Sequence, residues 1–146
     1  MRAGSDDDLM HVILAVKGWD PIMTPEFQVE LRSRLLRNFH IKKTSVLEIV
    51  SGAEHFHVLL KLPSNNSLSE IMGWVKGESS HWFNLEHDQK FHWQKGYYAG
   101  SVSEDNINEI THYLDSHSLV HQNLTFGEEI LKFRAGNLEE MGYLPD

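Results

Sequence analysis

The chain has 146 residues, 40% of them apolar, which fits one compact domain. It contains no cysteine, which excludes disulfides, iron–sulfur clusters and thiolate zinc sites and suits a reducing cytoplasm, and no apolar run approaches the roughly 18 residues of a membrane span. The formal net charge of −8 argues against tight nonspecific binding to duplex DNA.

Residues 1–8 end in three aspartates and hold no apolar segment, so they are expected to be a disordered acidic lead-in or a remnant of expression. Leu9 to Val16 is apolar and reads as a first strand, broken by Lys17-Gly18-Trp19-Asp20-Pro21. Thr24 as N-cap and Pro25 at the first helical position open a helix. Phe27, Leu31, Leu35 and Phe39 carry it to about residue 39. From Leu31 to Lys43 there are five cations (Arg32, Arg34, Arg37, Lys42, Lys43) and no acid, either a locally basic surface or an ordinary solvated helix face. Thr44–Val50 and Glu54–Leu62 are strands joined by the short Ser51-Gly52-Ala53 turn, hence an antiparallel hairpin.

Ser67-Leu68-Ser69-Glu70 has the capping-box pattern and opens a second helix with Ile71, Trp74, Val75 and Trp82 among its apolar residues. Phe91–Ser103 contains a loop and a fourth strand. Ser103 is expected to cap a third helix whose buried stripe is Ile107, Ile110 and Leu114. Thr125-Phe126-Gly127-Glu128 is another capping box, opening a last helix through about Phe133. The order β-α-β-β-α-β with added helices predicts an α+β fold. It is the ferredoxin-like, split βαβ arrangement: one antiparallel sheet with helices on one face, plus C-terminal helices. Residues 9–135 form the domain and 136–146 an acidic C-terminal tail, expected to be extended.

Two features bear chemistry. Strand alternation puts Phe56, Val58 and Leu60 on one face of the third strand and His55 and His57 together on the other, which is expected to be open. Two imidazoles at this spacing can grip one metal ion, or can simply sit half exposed on a solvated sheet. Tyr113 and His117 stand one turn apart on the third helix, rotated away from its buried stripe. Such a tyrosine can serve as a nucleophile toward phosphorus beside a metal, or can lie at the rim of the core with its hydroxyl in water.

Several motifs occur together and in order. They are His55-Phe56-His57-Val58-Leu59-Leu60, Pro63 through Ser67-Leu68-Ser69, Val75-Lys76-Gly77-Glu78-Ser79-Ser80-His81-Trp82, Trp93-Gln94-Lys95-Gly96-Tyr97, Ser101-Val102-Ser103, and Tyr113-Leu114-Asp115-Ser116-His117. From about Leu9 to Arg134 the chain thereby resembles the single-tyrosine HUH transposases of small bacterial insertion sequences and their REP-associated relatives. The resemblance implies that Tyr113 attacks a phosphate of single-stranded DNA, leaving a 5′-phosphotyrosine and a free 3′-hydroxyl that can later rejoin. It implies that His55 and His57 hold Mg²⁺ or Mn²⁺, that His117 is the third protein ligand, and that the protein is a homodimer acting on hairpin DNA.

It also places Lys17 and Lys76 near the DNA. Arg37 and Lys42, within the basic cluster, could grip a hairpin stem through phosphates. Trp19, Trp93 and Tyr97 could stack on unpaired bases or pack in the core. Three positions depart from the family pattern or from its usual character. His117 stands where glutamine is usual, and imidazole suits Mn²⁺ and other first-row metals better than Mg²⁺. Glu54 stands where aspartate is common, with its side chain expected on the face opposite His55. The overall acidity is unusual for a DNA enzyme. Two other readings compete with the active transposase: a hairpin-binding protein of the same fold that no longer transposes, and a metal-binding or small-ligand module with no nucleic acid.

Overall fold

The computed structural model describes residues 8–117, 125–136 and 143–144. Strand β1 (Leu9–Ala15) leads through a 3₁₀ turn (Lys17–Trp19) to helix α1 (Pro25–Ile41), then to β2 (Ser45–Ser51), β3 (His55–Lys61), helix α2 (Leu68–His87) and β4 (Tyr97–Ser101). Helices α3 (Ile107–Asp115) and α4 (Phe126–Gly136) and a short strand β5 (Tyr143–Leu144) follow. The expected lead-in, Asp8 apart, and most of the acidic tail lie outside the described residues.

The sheet runs β2-β3-β1-β4-β5, and every pairing is antiparallel. This is the split βαβ order with one strand added at the β4 edge. The central strands β1 and β3 are covered on both faces, which explains their nearly continuous apolar runs. On one face Val12, Leu14, Phe56, Val58 and Leu60 pack with Leu31, Leu35 and Phe39 of α1 and Ile71, Met72 and Val75 of α2. Each such fully buried side chain contributes roughly 1.5–3 kcal/mol.

Local chemistry sets the helix ends. Thr24 Oγ1 accepts from Phe27 N at 3.1 Å. Ser67 and Glu70 close a complete capping box, and Thr125 and Glu128 bond reciprocally in the same way. The expected cap at Ser103 is displaced: Asn106 Oδ1 accepts from Ser103 N at 2.7 Å, residues 103–106 form a turn, and α3 begins at Ile107. The run of cations in α1 is partly neutralised by an acid from α2, since Glu78 bonds both Arg34 and Asn38.

The second face of the sheet is not open. Ile13, Ala15 and Tyr98 pack with Phe126 and Ile130 of α4. Leu9 and Leu59 pack with Leu114 of α3. The apolar residues alternating with the histidines require this cover, because a sheet face carrying Leu59, Ile13 and Tyr98 cannot stay in water cheaply. The result is a sheet between two helix layers, with the histidines inside.

Candidate metal centre and nucleophile

His55 and His57 share one face of β3, as alternation requires, and both are fully buried. His117 follows the end of α3, and Glu129 stands on α4; both are buried too. One ligand atom from each of His55, His57, His117 and Glu129 lies within 4.8 Å of all the others. His55 Nε2 is 3.0 Å from His117 Nε2 and 3.1 Å from Glu129 Oε1. Glu129 Oε2 is 2.8 Å from His57 Nε2 and 3.5 Å from His117 Nε2. Four donors each about 2.1 Å from one tetrahedral ion lie about 3.4 Å from one another. The spacing and the donor set, three imidazoles and a carboxylate, therefore fit a first-row divalent ion.

The outward nitrogens are also engaged. Glu54 Oε1 lies 2.8 Å from His55 Nδ1. Glu54 precedes β3, so strict strand alternation does not govern it, and its carboxylate reaches round to the histidine instead of the opposite face. His11 Nε2 lies 2.8 Å from His57 Nδ1, with the two rings stacked at 5.1 Å between centroids. Partners of this kind fix the tautomer and leave Nε2 directed at the common centre.

Tyr113 completes the group. Its hydroxyl donates to Glu129 Oε2, and its ring lies 5.9 Å from that of His57. Phe126 stacks on His55 at 4.1 Å, and Phe133 meets Tyr113 edge-on at 5.1 Å. Helix α4 thus covers both the histidines and the phenol.

Electrostatics follow from this closure. Burial pushes His11 down to about 4, with the Glu129 carboxylate only partly opposing it. Burial also holds His57 well below the usual histidine range, against Glu129 and with help from His11 and His55. A neutral His57 is the form that binds a metal. Burial alone would lower His55 as well, but Glu129 and Glu54 outweigh it and raise it. Burial would raise Glu129, but hydrogen bonds from His117, His55 and His57 hold it below the carboxylate range. Tyr113 is raised by burial and then by the Glu129 carboxylate, so the phenol stays protonated in this closed arrangement.

The residues expected near DNA are scattered. Lys17 is exposed just beyond β1, at the end where Ala15 pairs with His55. Arg37 and Lys42 lie on and just past α1, with the sheet between them and the cluster, and Lys42 Nζ sits 4.9 Å from the centroid of the Trp74 ring. Lys76 is buried, with Nζ donating to the carbonyls of Gln94 at 2.8 Å and Gly96 at 3.1 Å. It braces the loop before β4 from within. Trp93 and Tyr97 are core residues, whereas Trp19 is exposed.

Sequence reasoning missed His11 and Glu129. His11 could have been found once β1 and β3 are paired, because it alternates onto the histidine face diagonal to His57. Glu129 left no local signal beyond its place in a helix.

Comparison with known proteins agrees with these features. Residues 7–117 match the family model described as IS200-like transposase. The transposases of insertion sequence IS200 from Salmonella typhimurium and Salmonella typhi are each 30% identical over 102 residues, spanning 65% of this chain and 67% of theirs. A candidate transposase of Deinococcus radiodurans R1 superposes with a TM-score of 0.62 at 17% identity, covering 74% of this chain and 88% of that one. A REP-associated tyrosine transposase bound to a REP hairpin superposes with a TM-score of 0.64 at 15% identity, covering 83% and 72%. With the family match extending over residues 7–117 of the 146, from β1 to His117, this protein belongs to the IS200-like transposase family.

Proposed function

We propose that the chain is a metal-dependent, single-stranded DNA transposase that cuts and rejoins its substrate through a 5′-phosphotyrosine. The observation that carries this reading is the convergence of Tyr113 and the histidines on one carboxylate. The Tyr113 oxygen forms a bond to a backbone phosphorus, and the bond from phosphorus to the 3′ oxygen breaks. The phenol proton has Glu129 as its nearest acceptor and ends on the departing oxygen, giving a free 3′-hydroxyl. Rejoining reverses these steps, the 3′-hydroxyl displacing Tyr113 from phosphorus. His55, His57 and His117 would hold a divalent ion, Mg²⁺, Mn²⁺ or another first-row metal, which when bound supplies positive charge beside the scissile phosphate. Hairpin recognition is part of the reading, supported by the hairpin bound to the structural neighbour. So is a homodimer joined along β2, an edge strand with Leu47 half exposed.

The test is a denaturing gel of protein incubated with labelled single-stranded hairpin DNA and Mn²⁺. Wild type is expected to give a covalent protein–DNA species, and Tyr113→Phe to give none while still binding DNA. An adduct with the Phe variant would place the nucleophile elsewhere. One observation favours the second reading, a hairpin-binding protein that does not cut: Glu129 engages the phenol and the histidines together. Wild-type binding without an adduct in any metal would select it.

A further inference from the structure

A pocket of about 480 Å³ opens at the end of the sheet where β1 leaves the histidine cluster, lined by Lys17, Gly18, His92, Trp93, Gln94 and Lys95. Its frame is tightly built. Lys17 N donates to His92 O at 3.0 Å, Gly18 N to Gln94 Oε1 at 2.7 Å, and Gln94 N to Ala15 O at 2.7 Å. Beneath it, the buried Lys76 ammonium binds the carbonyls of Gln94 and Gly96. Lys17 and Lys95 are exposed at the rim, and neither is in an ion pair with any described residue. The lining therefore holds two available cations and no acid.

Trp19 stands beside this pocket. It has φ +55 directly after Gly18 at φ +69, a left-handed conformation that is rare for a bulky side chain and costs on the order of 1–3 kcal/mol. The strained turn keeps the indole at the surface, 40% exposed, with its ring 5.2 Å from Phe126. Phe126 in turn stacks on His55. Ring contacts thus run from Trp19, the residue after Gly18 of the pocket lining, through Phe126 to His55 of the histidine cluster.

We propose that this pocket is a subsite for single-stranded DNA flanking the scissile phosphate. Lys17 and Lys95 take a backbone phosphate and the exposed face of Trp19 takes an unpaired base. Cations supply the sequence-independent attraction, and an exposed indole offers a stacking platform that any base can use. The inference rests on the reading that the chain acts on single-stranded DNA.

It is tested in the full chain carrying Tyr113→Phe, so that cleavage cannot contribute, by fluorescence anisotropy with a fluorescein-labelled oligodeoxythymidylate of about 20 nucleotides. Lys17→Ala with Lys95→Ala is expected to weaken binding about tenfold and to reduce the log–log salt slope by about 0.7, the value for one lost phosphate contact on a single strand. Trp19→Leu should weaken binding about tenfold, and Trp19→Phe should restore most of it. A 5-iododeoxyuridine oligonucleotide should photocrosslink to the Trp19 peptide. Unchanged affinity in the lysine and Leu variants, crosslinks only to other peptides, or a wild type that does not bind the probe would each overturn the subsite. Loss of binding in these variants, combined with no covalent adduct from the wild type, would leave the subsite standing and sink the cleavage reading alone.

Discussion

Glu54 and His11 act on the centre through other residues. Each engages the outward nitrogen of one histidine, and neither belongs to the inner group of four. Removing such a partner typically costs 10–100-fold in metal affinity because the ring loses its orientation and tautomer. Glu54→Ala is therefore expected to weaken Mn²⁺ binding by about tenfold, measured by calorimetry, with an unchanged circular dichroism spectrum. Equal affinity would mean that packing alone positions His55. His117→Gln replaces an imidazole with a carbonyl oxygen and should shift preference toward Mg²⁺ over Mn²⁺ in the same titration; an unmoved ratio would remove His117 from the ligand set. The legibility of these residues follows the range of the interaction. His55 and His57 were readable because strand alternation is local, and Tyr113 with His117 because a helical turn is local. Glu54 was misplaced by extending alternation one residue past the strand. Glu129 meets histidines 72 and 12 positions away only after α4 docks, and it lies beyond the stretch that matches the family model.

Helices whose starts are written in short-range hydrogen bonds, at Thr24, Ser67 and Thr125, were readable for the same reason. The layer formed by α3 and α4 was not, because nothing in a helix's own sequence names the sheet face it covers. One contact between these elements has a consequence for pH. Glu48 on β2 shares a hydrogen bond with Asp115 at the end of α3, and burial together with that neighbour raises Glu48 to about 7. A carboxyl with a raised pKa favours the folded state only while it is protonated. The contribution is present below the ordinary carboxylate range, fades as pH rises toward 7, and is gone above it. Thermal unfolding of Glu48→Gln, which keeps the shape without the charge, should match wild type near pH 5. At pH 8 the variant should melt on the order of 3 °C higher. Parallel melting curves at both pH values would show that Glu48 and Asp115 do not repel across this joint.

The whole molecule sets two demands against each other. The second helix layer buries the apolar residues that alternate with the histidines, yet in doing so it also buries His55, His57, His117 and Glu129 and leaves Tyr113 only partly exposed. Five cations of the α1 region lie across the sheet from the cluster, so they cannot draw substrate directly onto it. One approach to the cluster lies where α4 meets Trp19 and His55. Phe126 is the wedge there, nearly buried, stacked on His55 and touching Trp19. Phe126→Ala removes a large buried ring, which commonly costs about 3–5 kcal/mol, so the variant should unfold at clearly lower temperature. If the closed arrangement restrains chemistry, the same variant should form the covalent DNA adduct several-fold faster than wild type at a temperature where both are folded, since less contact must be given up to admit the phosphate. A rate that falls in step with stability would mean instead that α4 belongs to the competent site, with Glu129 holding Tyr113 in place for attack.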